Sequence, residues 1–163
     1  MQEAAKRYLE PCDENDYQLD HIRLLSDSLA HWSGCGLMDD EPDPVIAARR
    51  LYYAPFAMLS HGTEIDPVIN YANHNAQQLF EMEWNEITAL PSRLSAEAVV
   101  QQERNALLKR VSDNGYIDDY SGVRIAKSGR RFKIENATVW NLQDEVGSYC
   151  GQAAMFSLWN LLK

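Results

Sequence analysis

The sequence predicts an α+β domain: a five-stranded antiparallel sheet flanked by helices, with an acidic helical extension in front of it. Three observations lead there. Apolar residues recur at helical intervals in 19–32 and again in 100–111, the pattern of helices buried along one face. Segments 116–126, 131–142 and 151–159 are rich in β-branched and aromatic residues and are divided by the turns Lys127-Ser-Gly-Arg and Asp144-Glu-Val-Gly, which links them as hairpins. Two shorter runs, Phe56-Ala-Met-Leu-Ser and Val68-Ile-Asn-Tyr-Ala, lie close enough to pair and to join the same sheet.

The helical extension is assigned to residues 1–54 and the sheet-bearing domain to 55–163. Residues 1–18 are polar and read as a short helix or loose tail. A helix begins at Asp20. Leu19, Ile22, Leu25, Leu29 and Trp32 share one face of it, and Gly34 and Gly36 end it. After an acidic linker, Asp43 is placed to cap a second helix with Pro44 in its first turn, where the missing N–H has no partner to lose. Pro55 ends that helix by pushing Ala54 out of helical geometry.

Asn73 or Asn75 caps a short helix that runs to Phe80, and another spans Trp84–Leu90 before Pro91. Ser95 is placed to cap a long helix over 96–114. Glu97 lies in its first turn and Lys109 and Arg110 in its last, as the helix dipole favours. Its buried stripe is Val100, Leu107, Leu108 and Val111, and Asn114-Gly115 reads as its C-cap. Gly122 marks a candidate bulge in the next strand. Strict alternation along 131–142 puts Phe132, Ile134, Asn136, Thr138 and Trp140 on one side and Lys133, Glu135, Ala137 and Val139 on the other.

Composition narrows the function classes. Of 163 residues, 45 % are apolar and 24 % charged, and the net charge is −9, ordinary for one globular core. Eleven acidic and three basic side chains fall in 1–43, against thirteen and twelve in 44–163. An acidic end on a nearly neutral body disfavours direct nucleic-acid binding. Lys127, Arg130, Arg131 and Lys133 read as a solvated hairpin turn. No apolar run nears the ~18 residues of a membrane span, and the first residues lack the apolar stretch of a signal peptide. Three cysteines, Cys12, Cys35 and Cys150, form no Cys-x-x-Cys pair, so a reduced, cytoplasmic setting is expected. The four histidines show no metal-ligand spacing.

The stretch Ile69-Asn-Tyr-Ala-Asn-His-Asn-Ala-Gln-Gln-Leu-Phe-Glu-Met-Glu-Trp-Asn-Glu-Ile resembles the strand-to-helix passage of PAS domains, and 124–147 resembles their long-strand hairpin. Longer motifs are similar to the MEKHLA family: Pro55-Phe-Ala-Met-Leu-Ser-His-Gly-Thr-Glu, Leu90-Pro-Ser-Arg-Leu-Ser-Ala-Glu, Ile117-Asp-Asp-Tyr-Ser-Gly-Val-Arg-Ile, Ser128-Gly-Arg-Arg-Phe, Ala137-Thr-Val-Trp-Asn-Leu and Gly151-Gln-Ala-Ala. The likeness runs from about His21 to Trp159. It implies a PAS-like fold and a role in sensing a signal or controlling association, without a settled ligand or catalytic residue.

Tested residue by residue, the resemblance leaves few cofactors. A covalent flavin adduct needs a cysteine among residues 73–95, and none is present. Haem-binding relatives use a histidine near the long helix, and 85–116 contain none. Neither cofactor is expected; non-covalent flavin or a small metabolite stays open. Candidate ligand contacts are Asn136, Thr138 and Trp140 on one strand, Gln152 on its neighbour, and the polar group Arg93, Tyr120 and Arg124. Arg124 can clamp a carboxylate or phosphate with its forked donors, or it forms an internal Arg–Asp bridge that ties the 91–95 loop to the sheet.

Ile22, Leu25, Leu29 and Trp32 form a candidate homodimer seam, or pack on their own sheet. Ser60, His61, Glu64 and Asp66 are the residue types of a hydrolase, but Ser60 and His61 are neighbours on a strand and point to opposite faces. The expected function is therefore a regulatory domain that binds a small molecule non-covalently or mediates association. The alternatives are a dimerisation module with a filled core, and an enzyme on the same scaffold.

Overall fold

The computed structural model describes residues 8–96 and 101–162. A 3-10 turn at Asp13–Asn15 precedes helices α1 (Leu19–Ser33) and α2 (Pro44–Tyr52). Strands β1 (Ala57–His61) and β2 (Ile69–Ala72) follow, then α3 (His74–Phe80), α4 (Trp84–Ile87), a 3-10 turn at Ser92–Ser95 and α5 (Gln101–Asn114). The chain closes with β3 (Tyr116–Ile125), β4 (Arg131–Gln143), β5 (Tyr149–Phe156) and β6 (Leu158–Leu161). All strand pairs are antiparallel, in the order β2-β1-β5-β4-β3, and β6 pairs with β4. Thr138 faces Met155 and Glu135 faces Leu158, so β6 prolongs β5 past Ser157 in the same register. The sheet is the expected five-stranded one with its last strand in two pieces.

Short polar side chains fix the joints. The Asp43 carboxylate accepts from the Val45 and Ile46 amides, with Pro44 at the first helical position. Asn73 is fully buried and uses all its capacity: its amide donates to the Leu51 and Phe56 carbonyls, and its oxygen accepts from Met58 and Ala76. One side chain thereby ties the end of α2 to β1 and caps α3.

The sheet is covered on both faces. On one, Ile22, Leu25 and Leu29 of α1 pack with Met58, Tyr71, Trp140 and Leu142. On the other, Phe80 and Ile87 of α3 and α4 meet Phe132 and Ile134, and Leu107 and Val111 of α5 meet Ile117 and Val139. The 1–18 expectation of a helix or loose tail is replaced, from Tyr8 on, by a packed turn. Asp16, Tyr17 and Gln18 all adopt positive φ, and Tyr17 is buried.

Three local expectations change. Strict alternation along β4 fails at Asn136, which has φ +53°. Gly122 pairs with Ile134 and Tyr120 with Ala137, so β4 carries one extra residue there, a bulge that flips the facing of everything after it. Ile134 and Val139 therefore look to the α5 side, while Trp140 looks to the α1 side. Ser95 also does not lead straight into a helix at 96, since Ala96 is extended. Ser95 ends the 3-10 turn and its hydroxyl donates to the Ser92 carbonyl. Glu97 and Val100 lie outside the described residues. Leu108, expected in the buried stripe, is 37 % exposed; among the described side chains of α5 the stripe is Leu107 and Val111.

Candidate functional site

Between the sheet and α5 lies a cavity of about 90 Å³. Leu59, Ile69, Phe80, Ile134, Val139 and Phe156 form its apolar walls, and Leu107 reaches it from α5. Polar groups enter from three places: Tyr120 and Arg124 from β3, His61 and Gln152 from β1 and β5, and Ser92 and Ser95 from the 3-10 turn. An apolar space with a few convergent polar groups is the form that small-molecule sites take.

Each polar group is held by neighbours. Residues 120, 122 and 124 share one face of β3. The Arg124 guanidinium donates to the Tyr120 hydroxyl at 3.1 Å and to the Val123 carbonyl at 3.0 Å, and its carbon sits 5.4 Å from the Tyr120 ring centre. Gly122 makes this possible, since a Cβ there would stand 2.3 Å from the Tyr120 oxygen. Gln152 donates to Asn141 Oδ1 at 3.2 Å. The Asn141 amide in turn donates to the Val111 carbonyl of α5 at 3.4 Å. The Asn141 backbone is also anchored: its N–H donates to Gly115, and its carbonyl accepts from the Trp32 indole at 2.9 Å. A path of hydrogen bonds thus leads from the cavity to α5 and to the end of α1.

Of the seven candidate ligand contacts, the cavity brings together Tyr120, Arg124 and Gln152. Arg93 is on the same 3-10 turn as Ser92 but is paired with Asp66 at 3.1 Å at the surface. Asn136 is exposed on the bulge, and Thr138 and Trp140 lie beyond the flip, off the cavity face. Trp140 is fully buried and its indole donates to the Leu25 carbonyl at 3.0 Å. Ile22, Leu25 and Leu29 are buried on their own sheet, and Trp32 is half-buried over Gly115. Ser92, Ser95 and Asn141 were missed by sequence reasoning. Asn141 carried a usable signal, an amide amid an apolar strand opposite Gln152; the two serines carried none.

The hydrolase residues do not converge. Ser60 donates its one hydroxyl proton to Asn70 Oδ1 at 2.5 Å, so it accepts from His21 Nε2 at 2.8 Å. His21 is therefore a donor to Ser60 and not its base. Burial pushes the His21 pKa down to about 4, and its ring stacks on Tyr71. Asp66 is engaged with Arg93, and Glu64 is exposed.

A covalent flavin does not fit the cavity as the described residues line it. Its volume is well below the ~300 Å³ at which pockets for larger ligands begin. The lining includes none of the three cysteines. Cys150 packs on the α1 side, and desolvation with the nearby Asp144 charge holds its thiol above the ordinary range. No group of three or more histidine, cysteine, aspartate or glutamate side chains able to hold a metal occurs among the described residues. None of the described helices is long and apolar enough to cross a membrane.

Comparison with solved structures supports this architecture. A PAS domain from Colwellia psychrerythraea superposes with a TM-score of 0.57 at 13 % identity, covering 71 % of this chain and 92 % of that one. An RNA-binding light-oxygen-voltage receptor gives 0.59 at 17 % identity, over 69 % of this chain and 32 % of that one. The light-state dimer of the fungal blue-light photoreceptor Vivid gives 0.52 at 17 % identity, over 63 % and 76 %. At such identities the likeness shows a shared PAS-like fold. No curated protein matches the sequence. The family model described as the MEKHLA domain matches residues 19–161, which takes in α1 as well as the whole sheet, and the chain belongs to the MEKHLA domain family.

Proposed function

We propose that this chain is a regulatory domain that takes a small molecule non-covalently in the cavity under α5 and reports its presence through α5. The observation that carries this reading is the path from Gln152 through Asn141 to the Val111 carbonyl. A ligand that turns the Gln152 amide towards itself loosens its bond to Asn141 and so alters the grip on α5. The helix is lightly held: among its described side chains only Leu107 and Val111 are buried, an anchorage of roughly 1.5–3 kcal/mol for each. A weakly fixed element above a binding space is the kind that a ligand's differential affinity can shift. The extension 1–54, through its described residues 8–54, serves as a helical cover on the body assigned to 55–163, in a cytoplasmic setting that suits the free thiols.

The test is hydrogen exchange on the full chain with a library of small metabolites. Binding is expected to change exchange in 107–114, and Asn141→Ala is expected to keep binding while abolishing that change. Ligands that bind without moving α5 overturn the reading.

One observation favours a second reading, a protein-association module. Leu158, Leu161 and Leu162 at the β6 end are 52 %, 58 % and 36 % exposed, an apolar group of the sort that marks contact surfaces. Sedimentation of wild type against Leu158→Lys/Leu161→Lys checks it: a dimer lost in the variant supports association, and monomers throughout reject a homodimer at this edge.

A further inference from the structure

We infer that the cavity's occupant is a short-chain carboxylic acid, bound as its carboxylate to Arg124; this deepens the proposed ligand-binding role and rests on it. The first ground is Arg124 itself, a charge with no carboxylate partner among the described residues. Arg50, Arg93 and Arg110 each meet a carboxylate, with Glu41, Asp66 and Asp119. Arg124 is half-buried and lines the cavity, yet among the described residues its partners are a carbonyl and a phenol oxygen, both neutral. A partly desolvated guanidinium beside apolar walls is stabilised by an anion, and its planar fork matches a carboxylate.

The second ground is construction. Gly122 leaves the space in which the Tyr120 hydroxyl and the Arg124 guanidinium meet; a Cβ there would also stand 3.3 Å from Arg124 Nη1. The guanidinium is thus steered by Tyr120 while three of its five N–H donors have no partner among the described residues. Tyr120 spends an acceptor site on Arg124 and keeps its own proton to donate.

The third ground is size and polarity. About 90 Å³ is well below the ~150 Å³ of an apolar cavity that takes benzene, the scale of an acid with roughly two to five carbons. Ile134, Val139 and Phe156 supply an apolar wall for the tail. A bare phosphate would leave that wall unused and surrender more hydration.

The experiment is titration of the full chain with butyrate, its neutral isostere butyramide, and inorganic phosphate, followed by NMR of backbone amides and by calorimetry. Butyrate is expected to shift the amides of Val139 and Ala154, and butyramide to bind at least tenfold more weakly. Arg124→Gln is expected to weaken butyrate at least tenfold and leave butyramide unchanged. Equal binding of butyrate and butyramide to the wild type overturns the acid but leaves the cavity reading standing. Phosphate binding as tightly as butyrate likewise overturns it. Entry by none of the three overturns the acid, and if a wider library of neutral metabolites also fails to enter, the ligand-binding role falls with it.

Discussion

The two faces of the sheet are built to different standards. On the α1 face, Ile22, Leu25, Met58, Tyr71, Trp140 and Leu142 are all completely buried; the Trp140 indole is tied to the Leu25 carbonyl, while the Tyr71 hydroxyl has no partner among the described residues. On the α5 face, the helix above the cavity buries Leu107 and Val111, and its outer side is polar and exposed. The α1 face is closed along its length; on the opposite face Ile87, Phe132 and Ile134 are packed as tightly under α3 and α4, and only the part under α5 leaves the space that the proposed binding would use.

The contrast can be broken most directly at Trp140. Trp140→Ala is expected to cost about 3–5 kcal/mol, read from the urea midpoint; a loss below about 1 kcal/mol would show that the α1 face is not closed around that ring. Acid tests the same face through His21. Its folded-state pKa lies near 4, below the ordinary 6.5, so the unfolded chain binds the extra proton first. Its contribution is complete above about pH 6.5 and is lost as pH falls towards 4, by up to about 3 kcal/mol. His21→Gln should flatten that part of the stability–pH curve, and an unchanged slope would relocate the acid sensitivity.

On the other face, Val111→Ala is expected to cost about 2 kcal/mol. It should speed hydrogen exchange in 107–114 well before global unfolding; uniform destabilisation would mean that α5 does not open separately. The smallest effect is expected at the Arg110–Asp119 pair, which joins α5 to β3 with both side chains more than half exposed. Arg110→Ala should change stability by less than about 1 kcal/mol, and a larger loss would mean that the helix is pinned from outside.

The sheet, its hairpins and most helix boundaries were legible because they rest on local signals. As helix caps, Asp43 and Asn73 act on amides two or three residues on, and the strands announce themselves by β-branched and aromatic runs between turns. The site was legible only in part. Tyr120 and Arg124 stand out in a stretch dense with charge for a strand, and Gln152 as a polar group on an apolar one; all three line the cavity. Asn136, Thr138 and Trp140 were assigned to a face by strict alternation, and one bulge residue undid that assignment. Ser92 and Ser95 look like any loop serines until the turn is folded against the sheet.

By itself, the sequence determined which segments are strands and helices, which side chains are available, and that α1 has one apolar face. Those are properties of short stretches, governed by periodicity, capping and turn chemistry. Tertiary structure alone decided which way the second half of β4 faces, that Arg124 meets a phenol rather than a carboxylate, and that Asn141 bridges Gln152 to α5. These depend on register between strands distant in sequence, and a one-residue shift there exchanges the two faces of the sheet.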